Sequence, residues 1–418
     1  MTGGTAPAPR IVMLDGLRGA AVMGILLMNI AAFAMPFAAY SNPANFGVPG
    51  WPDLAIWGLE FVAVDGKMRA IFSALFGASL LLVTDRAERN GASAARLHFA
   101  RMAILLLIGL AHACLIWEGD ILVLYALVGA CAFRLRSLPI EHMLIMAGLL
   151  LGLQMAILAI NYQSLTALAD AAAAPGATPA ALRDWHALLD AIGRPSAATL
   201  SADLALHRGP WWALVGDMSA REPHAIWAQL IFNGPETLGL MLVGMVGLRT
   251  GFLTGDWRRS TYLKVVRGTY LAGMLPLAVV AVFLLRRDFP PLETAMAGDL
   301  AMPFRWVVAT GHVALVAAWF ARGPTALKTR ISAAGRVALT NYLGTSLLMT
   351  GIFYGWGLGL YGHVGRALLL PIVFVTWLLM LWWSSWWLDR FAYGPAEYVW
   401  RLLARGKIPP FRRRAIAS

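Results

Sequence analysis

The 418-residue sequence predicts an all-α, polytopic bundle of transmembrane helices, with about ten spans and both termini in the cytoplasm. Three observations carry that prediction. Hydrophobic residues make up 59% of the chain and charged residues only 13%, against about 45–50% and about 25% in soluble domains. The apolar residues form long continuous runs, which excludes the short alternating strands of a membrane β-barrel. Lys and Arg gather in alternate connections, as they do when one side of a membrane retains positive charge.

Apolar runs of spanning length cover 17–38, 55–83, 101–118, 120–135 and 138–162, then 226–248, 266–285, 303–320, 337–360 and 367–388. The run at 120–135 is short and the run at 55–83 is long, so nine or eleven crossings fit as well. With Met1 inside, the inner segments hold 24 of the 34 Lys and Arg, from Arg10 and Arg18 to seven between Arg390 and Arg414. The net charge of +12 thus follows membrane topology and implies no nucleic-acid partner. Residues 17–38 exceed a signal-peptide core in length and read as the first span. An N-terminal five-span half (1–162) and a C-terminal half (226–418) flank an extracytoplasmic loop at 163–225. In that loop Thr178 and Pro179 open a short helix as N-cap and first residue. Cys114 and Cys131 lie at different depths, which forbids a disulfide; both read as small buried residues. No metal site is expected.

An ionisable side chain within a span costs about 2.5–3.5 kcal/mol on insertion scales, so each needs a reason. Asp15, Arg18 and Asn29 fall on one face of the first helix. Asp65, Arg69 and Ser73 form a second stripe, with Lys67 projecting elsewhere and Gly66 placed to break the helix beside a cavity. His112 lies in the third span, and histidine, with an ordinary pKa near 6.5, is a suitable general base. Asp120 is eight residues on, a rise of about 12 Å along a helix, so the partner of His112 is expected from another helix, with Asn29 and Asn341 the candidates. Gly335–Leu343, containing Arg336 and Asn341, reads as polar glue between helices. Pro395 opens a helix whose Glu397 pairs with Arg401 and whose basic residues suit anionic lipid head groups. There is no Walker, His-Glu-x-x-His, Cys-x-x-Cys or Gly-x-Ser-x-Gly motif, which argues against ATP-driven transport and zinc or serine hydrolysis.

Leu14–Gly19, Gly66–Arg69 with Phe72–Gly77, His112 with Gly119–Leu122, Gly335–Leu343 and Tyr393–Arg401 together resemble the YeiB family, whose C-terminal half is the domain of unknown function 418. The opening Leu-Asp-x-Leu-Arg-Gly also looks like that of transmembrane acyltransferases, including the lysosomal heparan glucosaminide acetyltransferase. That resemblance implies acyl transfer from cytoplasmic acyl-CoA, as co-substrate, to an acceptor at the membrane or its outer face. The acetyltransferase's catalytic histidine lies in its first outer loop; residues 33–54 here contain none, so the base would be His112. Asp15, Arg18, Asn29, Asp65, Lys67, Arg69, Ser73, Asp120 and Asn341 are the candidate binding residues, with Arg18, Lys67 and Arg69 neutralising phosphates. A transporter or lipid flippase lined by the same charges is the alternative, and a scaffold with purely structural polar stripes a third reading. The expected location is the cytoplasmic (inner) membrane.

Overall fold

The computed structural model describes residues 11–406, 408, 411 and 412, without the side chains of Ile192 and Arg405; Arg10, Lys407, Arg413 and Arg414 of the expected basic segments lie outside the described residues. The chain forms α1 (Val12–Ala34), α2 (Ala38–Ser41), α3 (Trp51–Ala63), α4 (Lys67–Arg89), α5 (Ala94–Leu115), α6 (Leu122–Leu135), α7 (Ile140–Ala173), α8 (Pro179–Ile192) and α9 (Ala197–Arg208). It continues with α10 (Trp211–Arg249), α11 (Arg259–Arg286), α12 (Pro291–Leu300), α13 (Met302–Phe320), α14 (Ala326–Arg336), α15 (Ala338–Phe353), α16 (Arg366–Arg390) and α17 (Pro395–Arg405). Seven segments among the described residues are long and apolar enough to cross a bilayer: α1, α3–α4, α5, α7, α10, α11 and α16. Counting α12 and α13, which meet at a 45° bend, as one span makes eight. Each of the ten apolar runs contains helix, but α6 has only 14 residues and α15 only 16.

Segment 163–225 is more helical than a surface loop. α7 continues to Ala173 and α10 starts at Trp211, leaving α8 and α9 to join two projecting arms. Thr178 caps α8 by accepting a hydrogen bond from the Ala181 amide at 3.2 Å, with Pro179 at its first position. The two cysteines depart from expectation: Cys114 is half-buried and Cys131 exposed. α6 turns Tyr125, Val128, Gly129 and Ala132 into the bundle, and Cys131 falls on the other face.

Charge pairing ties the helix ends into two faces. At the arginine-rich end, Arg136, just after α6, pairs with Glu88 of α4, and Arg249 of α10 donates to the carbonyls of Leu138 and Arg136, each at 2.7 Å. At the opposite end, Arg366 pairs with Glu60 at 2.8 Å, and Asp53 caps the start of α16 through the Ala367 amide at 2.8 Å. Between them α4 and α10 cross at backbone contact. A Cβ on Gly77 would strike the Met241 carbonyl, and one on Gly244 the Ala74 carbonyl, so small residues let the two helices touch.

The second candidate span is broken. Gly66 adopts φ +73°, a left-handed conformation that costs other L-residues about 1–2 kcal/mol, and α4 restarts after it. The Lys67 ammonium turns back to the Phe61 carbonyl, satisfying the end of α3. A second break at Val337 separates α14 from α15.

Candidate functional site

The interior polar residues sort into separate groups. At the arginine-rich end, α1, α4, α5, α6, α14, α15 and α17 enclose a cavity of about 230 Å³. Arg18, Arg101, Arg336 and Arg401 line it with a single carboxylate, Glu397. Arg18 is held by Asp15 at 2.9 Å and donates to the Ser79 hydroxyl at 2.8 Å. Arg101 lies over the Trp400 ring at 4.0 Å, while the Trp400 indole donates to the Arg101 carbonyl at 2.9 Å. α17 therefore covers this cavity. Its Glu397 reaches the amides that begin α15, accepting from Leu339 N at 2.7 Å and Thr340 N at 3.2 Å.

Deeper, the ring of Tyr342 lines the cavity, and the His112 ring lies 5.1 Å behind it. His112 is 1% exposed; its Nδ1 is 2.8 Å from Asp120 Oδ1, and its Nε2 is buried with no hydrogen-bond partner among the described residues. This contact corrects the expectation that a helical rise separates the pair. α5 ends at Leu115, and the chain doubles back through 116–121, which returns Asp120 to the level of His112. The second Asp120 oxygen accepts the Val123 amide at 2.8 Å, fixing the carboxylate in place. Asn341 is not the partner of His112 either. It bonds Ala334 O at 3.0 Å, Ser384 at 3.1 Å and the Trp383 indole at 2.7 Å, as the packing reading has it. Asn29 lines a separate small gap together with Trp117 and Tyr342.

Lys67 and Arg69 do not join Arg18. Arg69 pairs with Glu236, which also accepts the Trp306 indole at 2.7 Å, and Ser73 shares a 2.9 Å hydrogen bond with Tyr125. Asp65 sits above this network, bound to Arg305 at 2.7 Å and to the Tyr40 hydroxyl at 2.6 Å. Sequence reasoning missed Glu236, Arg305, Glu60 and Arg366. Glu236, Arg305 and Glu60 lay visibly as charges inside apolar runs; nothing in the pattern could pair the first two with Arg69 and Asp65 across 167 and 240 residues.

Long apolar helices around an ion-paired interior define a helical protein of membrane type. A family model for a "Protein of unknown function (DUF418)" matches residues 248–407. The chain is 32% identical to the "Uncharacterized protein YeiB" of Escherichia coli (strain K12), over 94% of this chain and 96% of that one. It is 27% identical to the "Uncharacterized protein YxaH" of Bacillus subtilis (strain 168), over 94% and 93%. The chain belongs to the YeiB family. No solved structure matches it.

Proposed function

We propose that this is a multi-pass protein of the cytoplasmic membrane that transfers an acyl group from acyl-CoA to a hydroxyl or amine. In this reading the ten helical runs cross the bilayer and the arginine-rich end is cytoplasmic. One observation carries it: a cavity lined by four guanidiniums and one carboxylate ends at a tyrosine, behind which stands a buried His–Asp pair. Clustered arginines suit phosphate groups because each presents a planar fork of donors. Asp120 orients the His112 ring through Nδ1, which leaves Nε2 directed to receive a proton. The acceptor gives its proton to Nε2 as its oxygen or nitrogen attacks the thioester carbonyl. The carbon–sulfur bond breaks, and the proton passes to the departing thiolate. Tyr342 must turn aside for acceptor and thioester to meet Nε2, so its ring acts as the gate. The test is acyl-CoA binding to the purified chain in detergent. Arg18→Ala should weaken it by about tenfold, the worth of one charge-assisted hydrogen bond; wild-type protein that binds no acyl-CoA overturns the reading.

A transporter is favoured by a different observation, the helix break at Gly66 together with a second cavity at the opposite end. Broken helices beside two cavities suit alternating access. Substrate movement in proteoliposomes without any acyl donor would select it.

A further inference from the structure

The opposite end of the bundle holds the larger cavity, about 380 Å³, which has no part in the acyl-donor reading and shares no residue with the arginine-rich one. α3 and the start of α16 supply Glu60 and Arg366; the break before α4 supplies Asp65; α12 and α13 supply Thr294, Asp299 and Arg305. Each guanidinium is only partly used. Arg305 meets Asp65 through Nη2, and Arg366 meets Glu60 through Nη1 and the Ala39 carbonyl through Nη2, yet both Nε–H groups are buried with no hydrogen-bond partner among the described residues. The Thr294 hydroxyl is orphaned in the same way. The Arg366 side chain is only 5% exposed, and a buried donor left unpaired costs about 1–3 kcal/mol, so an acceptor that reaches these groups is favoured.

Charge narrows the ligand further. Three carboxylates face two guanidiniums, which disfavours a simple anion. Asp299 joins no ion pair among the described residues; its charged neighbour Arg305 is already taken by Asp65, so Asp299 is placed to meet a further cation. Met28, Leu165, Leu284 and Met302 form an apolar wall beside these groups. We propose that this cavity is a binding site for a zwitterion that carries an ammonium and a phosphate on a short skeleton. The ammonium meets Asp299, and phosphate oxygens take the two Nε–H donors and Thr294. Free phosphoethanolamine and the head group of phosphatidylethanolamine share that chemistry.

The experiment uses the full chain. Thermal stability in detergent is measured with phosphoethanolamine, with inorganic phosphate and with ethanolamine; lipid retention is measured by native mass spectrometry from nanodiscs of phosphatidylethanolamine or phosphatidylglycerol. Protection by phosphoethanolamine, with phosphate and ethanolamine each at least about tenfold weaker, supports a soluble zwitterion. Selective retention of phosphatidylethanolamine supports the lipid source. Asp299→Asn and Thr294→Val lie outside both ion pairs and should each weaken binding, the first by about tenfold, with unchanged elution on size exclusion. Phosphate binding as tightly as phosphoethanolamine, binding unaffected by Asp299→Asn, or protection by neither zwitterion source overturns the proposal. The site is independent of acyl-CoA, so loss of acyl-CoA binding in Arg18→Ala leaves this result unmoved.

Discussion

Two carboxylates show how much a single side chain settles here. Asp120 spends one oxygen on His112 and the other on the Val123 amide, so it orients the His112 ring and begins α6 at once. Asp120→Asn keeps the shape but offers an amide where His112 Nδ1 needs a carboxylate. Under the acyl-transfer proposal, thioester turnover should fall by roughly a hundredfold or more while the melting temperature of the same preparation shifts little. Glu397 is buried, and burial pushes its carboxyl above the ordinary range against the hydrogen bonds from Thr340 and Leu339. Glu397→Ala would orphan the amides that open α15 and detach α17. We expect a loss of about 1–3 kcal/mol in a denaturation titration, with Glu397→Gln recovering part of it because its carbonyl still accepts.

Helices here are placed by what they lack as much as by what they carry. Gly77 and Gly244 let α4 and α10 touch backbone to backbone, which brings Arg69 within reach of Glu236. Gly244→Ala would force the Ala74 carbonyl away, and overpacking of this kind costs about 1–3 kcal/mol. A lowered melting temperature together with weakened Arg69–Glu236 pairing is the expected result, the latter read as a smaller further effect of Glu236→Gln in a double-mutant cycle. The break at Gly66 works in the opposite sense. It ends α3 early and allows Asp65 and Lys67 to point at different partners, Arg305 and the Phe61 carbonyl.

At the scale of the molecule, the two ends are held by different chemistry. The arginine-rich end is closed by α17, while the opposite end is clasped by α9 against the 354–365 loop. There His207 stacks on Tyr361 at 4.3 Å and lies 3.3 Å from Asp203, whose other oxygen accepts from the Tyr361 hydroxyl at 2.8 Å. Desolvation pulls the His207 pKa down, but the hydrogen bond and charge of Asp203 outweigh it and hold it above the usual histidine value. A raised folded-state pKa means that the contact stabilises fully below the unfolded value of about 6.5 and is lost as pH climbs through the folded one. The melting temperature of wild type should therefore fall over that rise, and His207→Gln should flatten the fall. An equal slope in both proteins would exclude His207 as its source.

Composition and run length alone determined an all-α protein of apolar helices, because burial in lipid leaves a chain few other ways to satisfy its backbone. Local chemistry was legible too: the α8 cap at Thr178, the break at Gly66 and the Asp15–Arg18 pair all depend on residues within a few positions of each other. Tertiary structure decided the rest. Only the reversal after Leu115 brings Asp120 to His112, and only the packing of α5 against α15 and α17 sets Tyr342 and four arginines around one cavity. Lys67 and Arg69 share the second span with its motif, yet the broken helix and the α4–α10 crossing send them to other partners. Periodicity along one helix fixes which residues share a face; which faces meet depends on chain reversals and close crossings that no local spacing encodes.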